Sequence, residues 1–161
     1  MSNDAADRAH ETAKRMEAEY HGCASCILAA LQDAFDERDD AVFRSATGLS
    51  GGGLAGAAMS LGQLLGRDRA EFTDTAGARN ETSRVVGDLR APFVERYGSV
   101  VRADIQSSVI GRPFDRTNAD DVLYFWEAGG HPVHSPEVVG LPIRWAAEVV
   151  FESNLAPACD E

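Results

Sequence analysis

Residues 20–35 read YHGCASCILAALQDAF, and their spacing sets the fold class. Cys23, Cys26, Ile27, Ala30, Leu31, Ala34 and Phe35 recur at intervals of three and four, so they share one face of a helix. A half-buried strand would alternate apolar and polar residues instead, and that pattern is absent. Gly22 interrupts any helix running in from the amino-terminal side, so the new helix opens at Cys23.

The flanking sequence repeats the signal. Residues 4–20 form a polar helix with a narrow apolar seam at Ala9, Ala13, Met16 and Tyr20. After DERDD, the stretch AVFRSATGL gives a short helix. LAGAAMSLGQLLG is small and apolar all round, which suits a helix buried at the centre of a bundle. Residues 70–97 give a long helix with a kink at Pro92, ended by Gly98, and a shorter helix follows around 101–110. Asn118 caps a helix through DDVLYFWEA that stops at Gly129 and Gly130. HPVHSP is read as a loop leading to a helix capped by Ser135, with Pro136 in its first turn and Pro142 as a second kink or restart. The sequence therefore predicts a single all-α domain over residues 1–161. It is expected to be a compact bundle of six or seven helices around a small-residue central helix, with residues 153–161 as a frayed tail.

Charge narrows the function classes. Twenty-six acidic residues against fifteen basic ones leave a formal charge of −11, and Lys14 is the only lysine. An acidic surface repels phosphate and anionic lipid, so neither nucleic acid nor a membrane is an expected partner. No apolar run reaches the length of a membrane span, and the polar start MSNDAADRAH is unlike a signal peptide. Both observations point to a cytoplasmic protein. The lysine-poor acidic surface fits a halophilic cell with a salty interior, and equally a high-GC genome that favours arginine.

Three cysteines make no disulfide framework in such a protein. Cys23 and Cys26 form a C-x-x-C pair at a helix start, where unpaired amides and the positive dipole end favour a thiolate. On that reading Cys23 attacks, Cys26 resolves, and His21 assists proton transfer. The competing reading makes both buried thiols small hydrophobes of the core.

Several segments together resemble the C_GCAxxG_C_C family, redox-active proteins named for their spaced cysteines. They are YHGCASCILAAL, GLSGGG with GAAMSLGQLLG, FVERYGSVVRADI, and PEVVGLPIRWAAEVV. The resemblance implies a redox role and aligns the first signature cysteine with Cys23. The second falls on Ala55, ahead of Gly56 and Ala57. The third falls on Arg102, beyond Gly98 and Ser99, and the last near His134 or Ser135. One signature thiol is retained and Cys26 is an addition, so a role that needs the complete set is not carried over.

If the aligned positions converge in space, His131 and His134 approach the cysteine pair. Cys23, Cys26, His131 and His134 would then suit tetrahedral zinc or iron. Three functional readings stay open: a thiol oxidoreductase with an unknown redox partner or small-molecule substrate, a metal-binding protein, and a structural protein that dimerises through an apolar helix face. The formal G-x-G-x-x-G at Gly51, Gly53 and Gly56 follows a helical segment instead of a strand, so it reads as a tight helix connection. DERDD lacks the glycine and terminal glutamate of a calcium loop, and Trp126 and Trp145 read as packing residues.

Overall fold

In the computed structural model, which describes residues 2–49 and 52–152, all regular structure is helical and no strand forms among the described residues. The helices are α1 (Ser2–Tyr20), α2 (Cys23–Phe35), α3 (Asp40–Thr47), α4 (Gly53–Leu65), α5 (Ala78–Tyr97), α6 (Arg102–Ile110), α7 (Ala119–Glu127) and α8 (Ser135–Glu152). A single 3-10 turn spans Arg69–Glu71, and a π turn over Gly130–His134 runs directly into α8. No described helix is long and apolar enough to cross a membrane. Cys159 and the expected frayed tail lie outside the described residues, as do Ser50 and Gly51 of the glycine turn.

The apolar face read from residues 20–35 is the one that folds inward. Ala24, Cys26, Ile27, Leu28, Ala30, Leu31 and Phe35 are buried, and α2 packs against α1, α3, α4 and α8. Small residues let these helices close up. A Cβ on Gly56 of α4 would overlap the backbone of Ala24, and one on Gly53 would come within 3.1 Å of the Ile27 side chain. The buried Gln32 side chain donates to the Gln63 Oε1 at 2.9 Å and to the Asp39 carbonyl at 3.3 Å, tying the α2–α3 turn to α4.

The most extensive pairing is between α1 and α8. Ala6, Ala9 and Ala13 meet Val139, Ile143, Ala147 and Val150 in the core shared with α2. The helices lie so close that a Cβ on Gly140 would stand 2.5 Å from the His10 ring, whose Nδ1 is 2.8 Å from the Gly140 carbonyl. The seam departs from the expected one at its end. Tyr20 is 68% exposed, and Glu17 occupies the buried place at 1%. The backbone turns left-handed at His21 (φ 59) and Gly22 (φ 103), so α1 ends before Tyr20 can reach a partner.

Two helix boundaries also differ from expectation. The long helix starts at Ala78, because Asp74 (φ 58) and Gly77 (φ 77) adopt left-handed backbone that no α-helix contains. Ser135 is not a cap: it is already right-handed helical at φ −62, and winding begins after Gly129 (φ 75). The N–H groups of Val133 and His134 both donate to the Gly129 carbonyl, at 3.0 and 3.1 Å. His131 and His134 therefore ride on a helical extension of α8, whereas a loop was expected. Elsewhere the cap reading holds. The Asn118 side chain accepts from the N–H groups of Asp120 and Asp121, and Gly98 closes α5 at φ 75. Both α5 and α8 continue through their internal prolines, Pro92 and Pro142.

Candidate functional site

The break between α1 and α2 builds the site. The His21 N–H and its ring Nδ1 both lie against the Glu17 carbonyl, at 3.2 and 2.9 Å. A carbonyl only accepts, so Nδ1 carries a proton, and in the neutral ring the lone pair falls on Nε2. The ring stands against His131 with centroids 4.2 Å apart, and edge-on to Trp126 at 5.5 Å. Cys23 opens α2 and is half-buried; its thiol donates to Glu17 Oε1 at 3.4 Å. One turn on, Cys26 is 5% exposed, with its sulfur 3.7 Å from the His21 carbonyl.

Glu17 is the unexpected member. It lies four residues after Ala13 and four before His21, on the alanine face, and that lone carboxylate in an apolar stripe is the signal that marks it. Its Oε2 is buried and has no hydrogen-bond partner. Burial raises its pKa, opposed by the neighbouring Cys23 and Cys26 thiols and by the charges of His21 and Arg102. The thiols respond in turn. Burial first, then the Glu17 charge, push both Cys23 and Cys26 up to about 12. The lowered pKa expected for Cys23 from the helix opening is overturned, because desolvation and an adjacent anion outweigh the half-charge of the dipole.

His131 is shifted the other way. Burial, with His21, Arg116 and Arg102 nearby, lowers it to about 4, so its imidazole is neutral at pH 7. Its Nδ1 is buried without a partner. The ring is walled by Phe125 at 4.7 Å and Trp126 at 4.9 Å, and Phe125 itself stacks on Phe114 at 4.0 Å. Gly130 is required beside it, since a Cβ there would overlap the Phe125 ring.

These groups border a cavity of about 80 Å³. Cys23, Gly53 and Arg102 line it, and each is the first residue of its helix, whereas Ser135 lines it from inside the winding that begins after Gly129. The three N-termini make a locally positive wall in an acidic protein. Of the residues singled out in the sequence, His21, Cys23, His131 and His134 line the cavity, whereas Cys26 sits on the core side of α2. The positions aligned with the family's third and fourth cysteines, Arg102 and His134 with Ser135, line it too; Ala55 does not. Glu17, His21 and His131 each bring one potential ligand atom to within 4.8 Å of the others.

A family model described as "Putative redox-active protein (C_GCAxxG_C_C)" matches residues 21–123, more than half of the chain. No curated protein and no solved structure matches it. The matched span begins at His21, takes in Cys23, the α4 glycines and Arg102, and thus covers most of the cavity wall. The chain belongs to the C_GCAxxG_C_C family.

Proposed function

We propose that the protein performs thiol–disulfide exchange, with Cys23 attacking, Cys26 resolving and Glu17 receiving the proton. The observation that carries this reading is the carboxylate beside the thiols: Cys23 donates to Glu17 Oε1 in the cavity wall, and the charge of the same carboxylate acts on the Cys26 thiol one turn on. At rest the sulfurs are protonated, and burial brings the Glu17 pKa up from its usual value, which makes transfer from a thiol less uphill.

The step balances with a disulfide RS–SR as oxidant. The Cys23 proton passes to Glu17, the sulfur attacks one sulfur of RS–SR, and the leaving thiolate takes the proton from Glu17 as RSH. Cys26 then attacks the Cys23 sulfur of the mixed disulfide and releases a second RSH. The protein gains one disulfide and loses two hydrogens. His21, which lines the cavity, is placed to exchange protons with the outside. The left-handed His21–Gly22 link gives the first turn of α2 room to deform, which a disulfide between residues three apart requires.

Thiol counting and intact mass on a Cys159→Ser chain test this, with glutathione disulfide as oxidant after chelator treatment. The expected result is loss of two thiols and of the mass of two hydrogens, reversed by dithiothreitol. Cys26→Ser is expected to trap glutathione on Cys23. Two free thiols persisting in excess oxidant would sink the reading.

A further inference from the structure

Glu17 poses a problem that thiol chemistry leaves open. Its carboxylate is 1% exposed, yet only one oxygen is used: Oε1 accepts from Cys23 while Oε2 has no partner. A second buried polar atom, His131 Nδ1, is equally unpaired, and His131 brings a ring nitrogen to within 4.8 Å of a Glu17 carboxylate oxygen. Buried polar atoms are almost always satisfied, so two orphans on neighbouring residues mark the place of a missing partner. A cation between the carboxylate and the imidazole would supply one.

The third group is already oriented. His21 donates Nδ1–H to the Glu17 carbonyl, and this outer hydrogen bond is the usual device that fixes a ligating imidazole's tautomer. Two imidazoles and one carboxylate are the donor set of a transition-metal dication; calcium and magnesium prefer oxygen alone.

We propose that Glu17, His21 and His131 form a divalent transition-metal site of the zinc or ferrous-iron class, with its fourth position open to the cavity. The ligand atoms, all within 4.8 Å of one another, need to close by roughly an ångström to meet the metal–ligand bonds of about 2.0–2.2 Å that such sites show. Arg102 and Arg116 line the same cavity, so the open position favours an anionic ligand. This site does not depend on the exchange chemistry of the cysteines, and it shares only His131 with a Cys23, Cys26, His131, His134 set, with Glu17 and His21 in place of both cysteines and His134.

Cobalt(II) titration of the tag-free, chelator-treated full chain reads the site through ligand-field absorption, and zinc competition ranks it. One cobalt per chain is expected, displaced by zinc and not by magnesium. Glu17→Gln, which keeps shape, and His131→Gln should each weaken binding by about tenfold or more. His134→Ala should bind as the parent does, and circular dichroism identifies any variant that fails to fold. Absence of stoichiometric binding in the parent would overturn the proposal. So would cobalt binding that survives in folded Glu17→Gln and His131→Gln chains, or that is abolished by Cys26→Ser or His134→Ala while those two bind normally.

Discussion

The Cys23 thiol donates to Oε1 of Glu17 across the turn that ends α1 and begins α2, at 3.4 Å. Six residues separate the two in sequence, and a left-handed dipeptide folds one back over the other. A carboxylate taken out of water beside a thiol makes each harder to ionise in the other's presence. The pair is therefore a proton-holding unit, and its chemistry is controlled by whatever draws the proton or the negative charge away.

The titration of the thiols follows. Cys23 and Cys26 are held at about 12 in the folded chain, against an ordinary 9.0. The native state binds these protons more tightly, so the stability they contribute is complete below about pH 9 and is lost as pH climbs toward 12. Urea midpoints of the chelator-treated protein, followed from pH 8 to 11, should fall more steeply than those of a Cys23→Ala/Cys26→Ala chain. Parallel slopes would contradict the shift.

Removing the Glu17 charge while keeping its shape should release part of that shift. In Glu17→Gln the rate of Cys23 alkylation by iodoacetamide is expected to rise at lower pH than in the parent, because the anion beside the sulfur is gone. Burial, the larger cause, remains, so the apparent pKa should still lie above 9.0. The pH–rate profile of single-thiol chains reads this directly.

Two glycines of α4 should respond oppositely to the same change. Gly56→Ala drives a methyl into the Ala24 backbone and is expected to cost about 1–3 kcal/mol, as overpacking does. Gly62, with nothing within 4 Å of its would-be Cβ, should accept alanine with a gain of about 0.5–1 kcal/mol. Thermal melts of the two variants give the comparison.

Asn118 secures α7, which carries Phe125 and Trp126 to the imidazoles. Asn118→Ala should cost about 1 kcal/mol and concentrate its effect in α7. Hydrogen exchange is expected to quicken in residues 119–127 and to change little in α2.

Much of this was legible in the chain. The face of residues 23–35, the Asn118 cap and the small residues that admit close helix contact all follow from spacing and local chemistry. What escaped the sequence depended on three-dimensional termination. The seam of α1 reads equally well through Tyr20 or through Glu17 until one knows that the helix stops at a left-handed His21. The start of α8 was misplaced because Ser135-Pro136 is a strong local start, whereas the two preceding glycines permit a wider turn that winds five residues earlier. Those same two errors hid the site, since Glu17 and the helical placement of His131 are its essential parts.

The fit of His10 onto Gly140 has a further bearing. It ties the first and last described helices together, and between them they deliver the candidate ligands: the carboxylate from the first and one imidazole from just past its end, the other imidazole from the wind-up to the last. Any motion that slides these helices past each other would pull the donors apart together. Loading the centre should accordingly staple the two ends of the fold, and unloading it should loosen both at once.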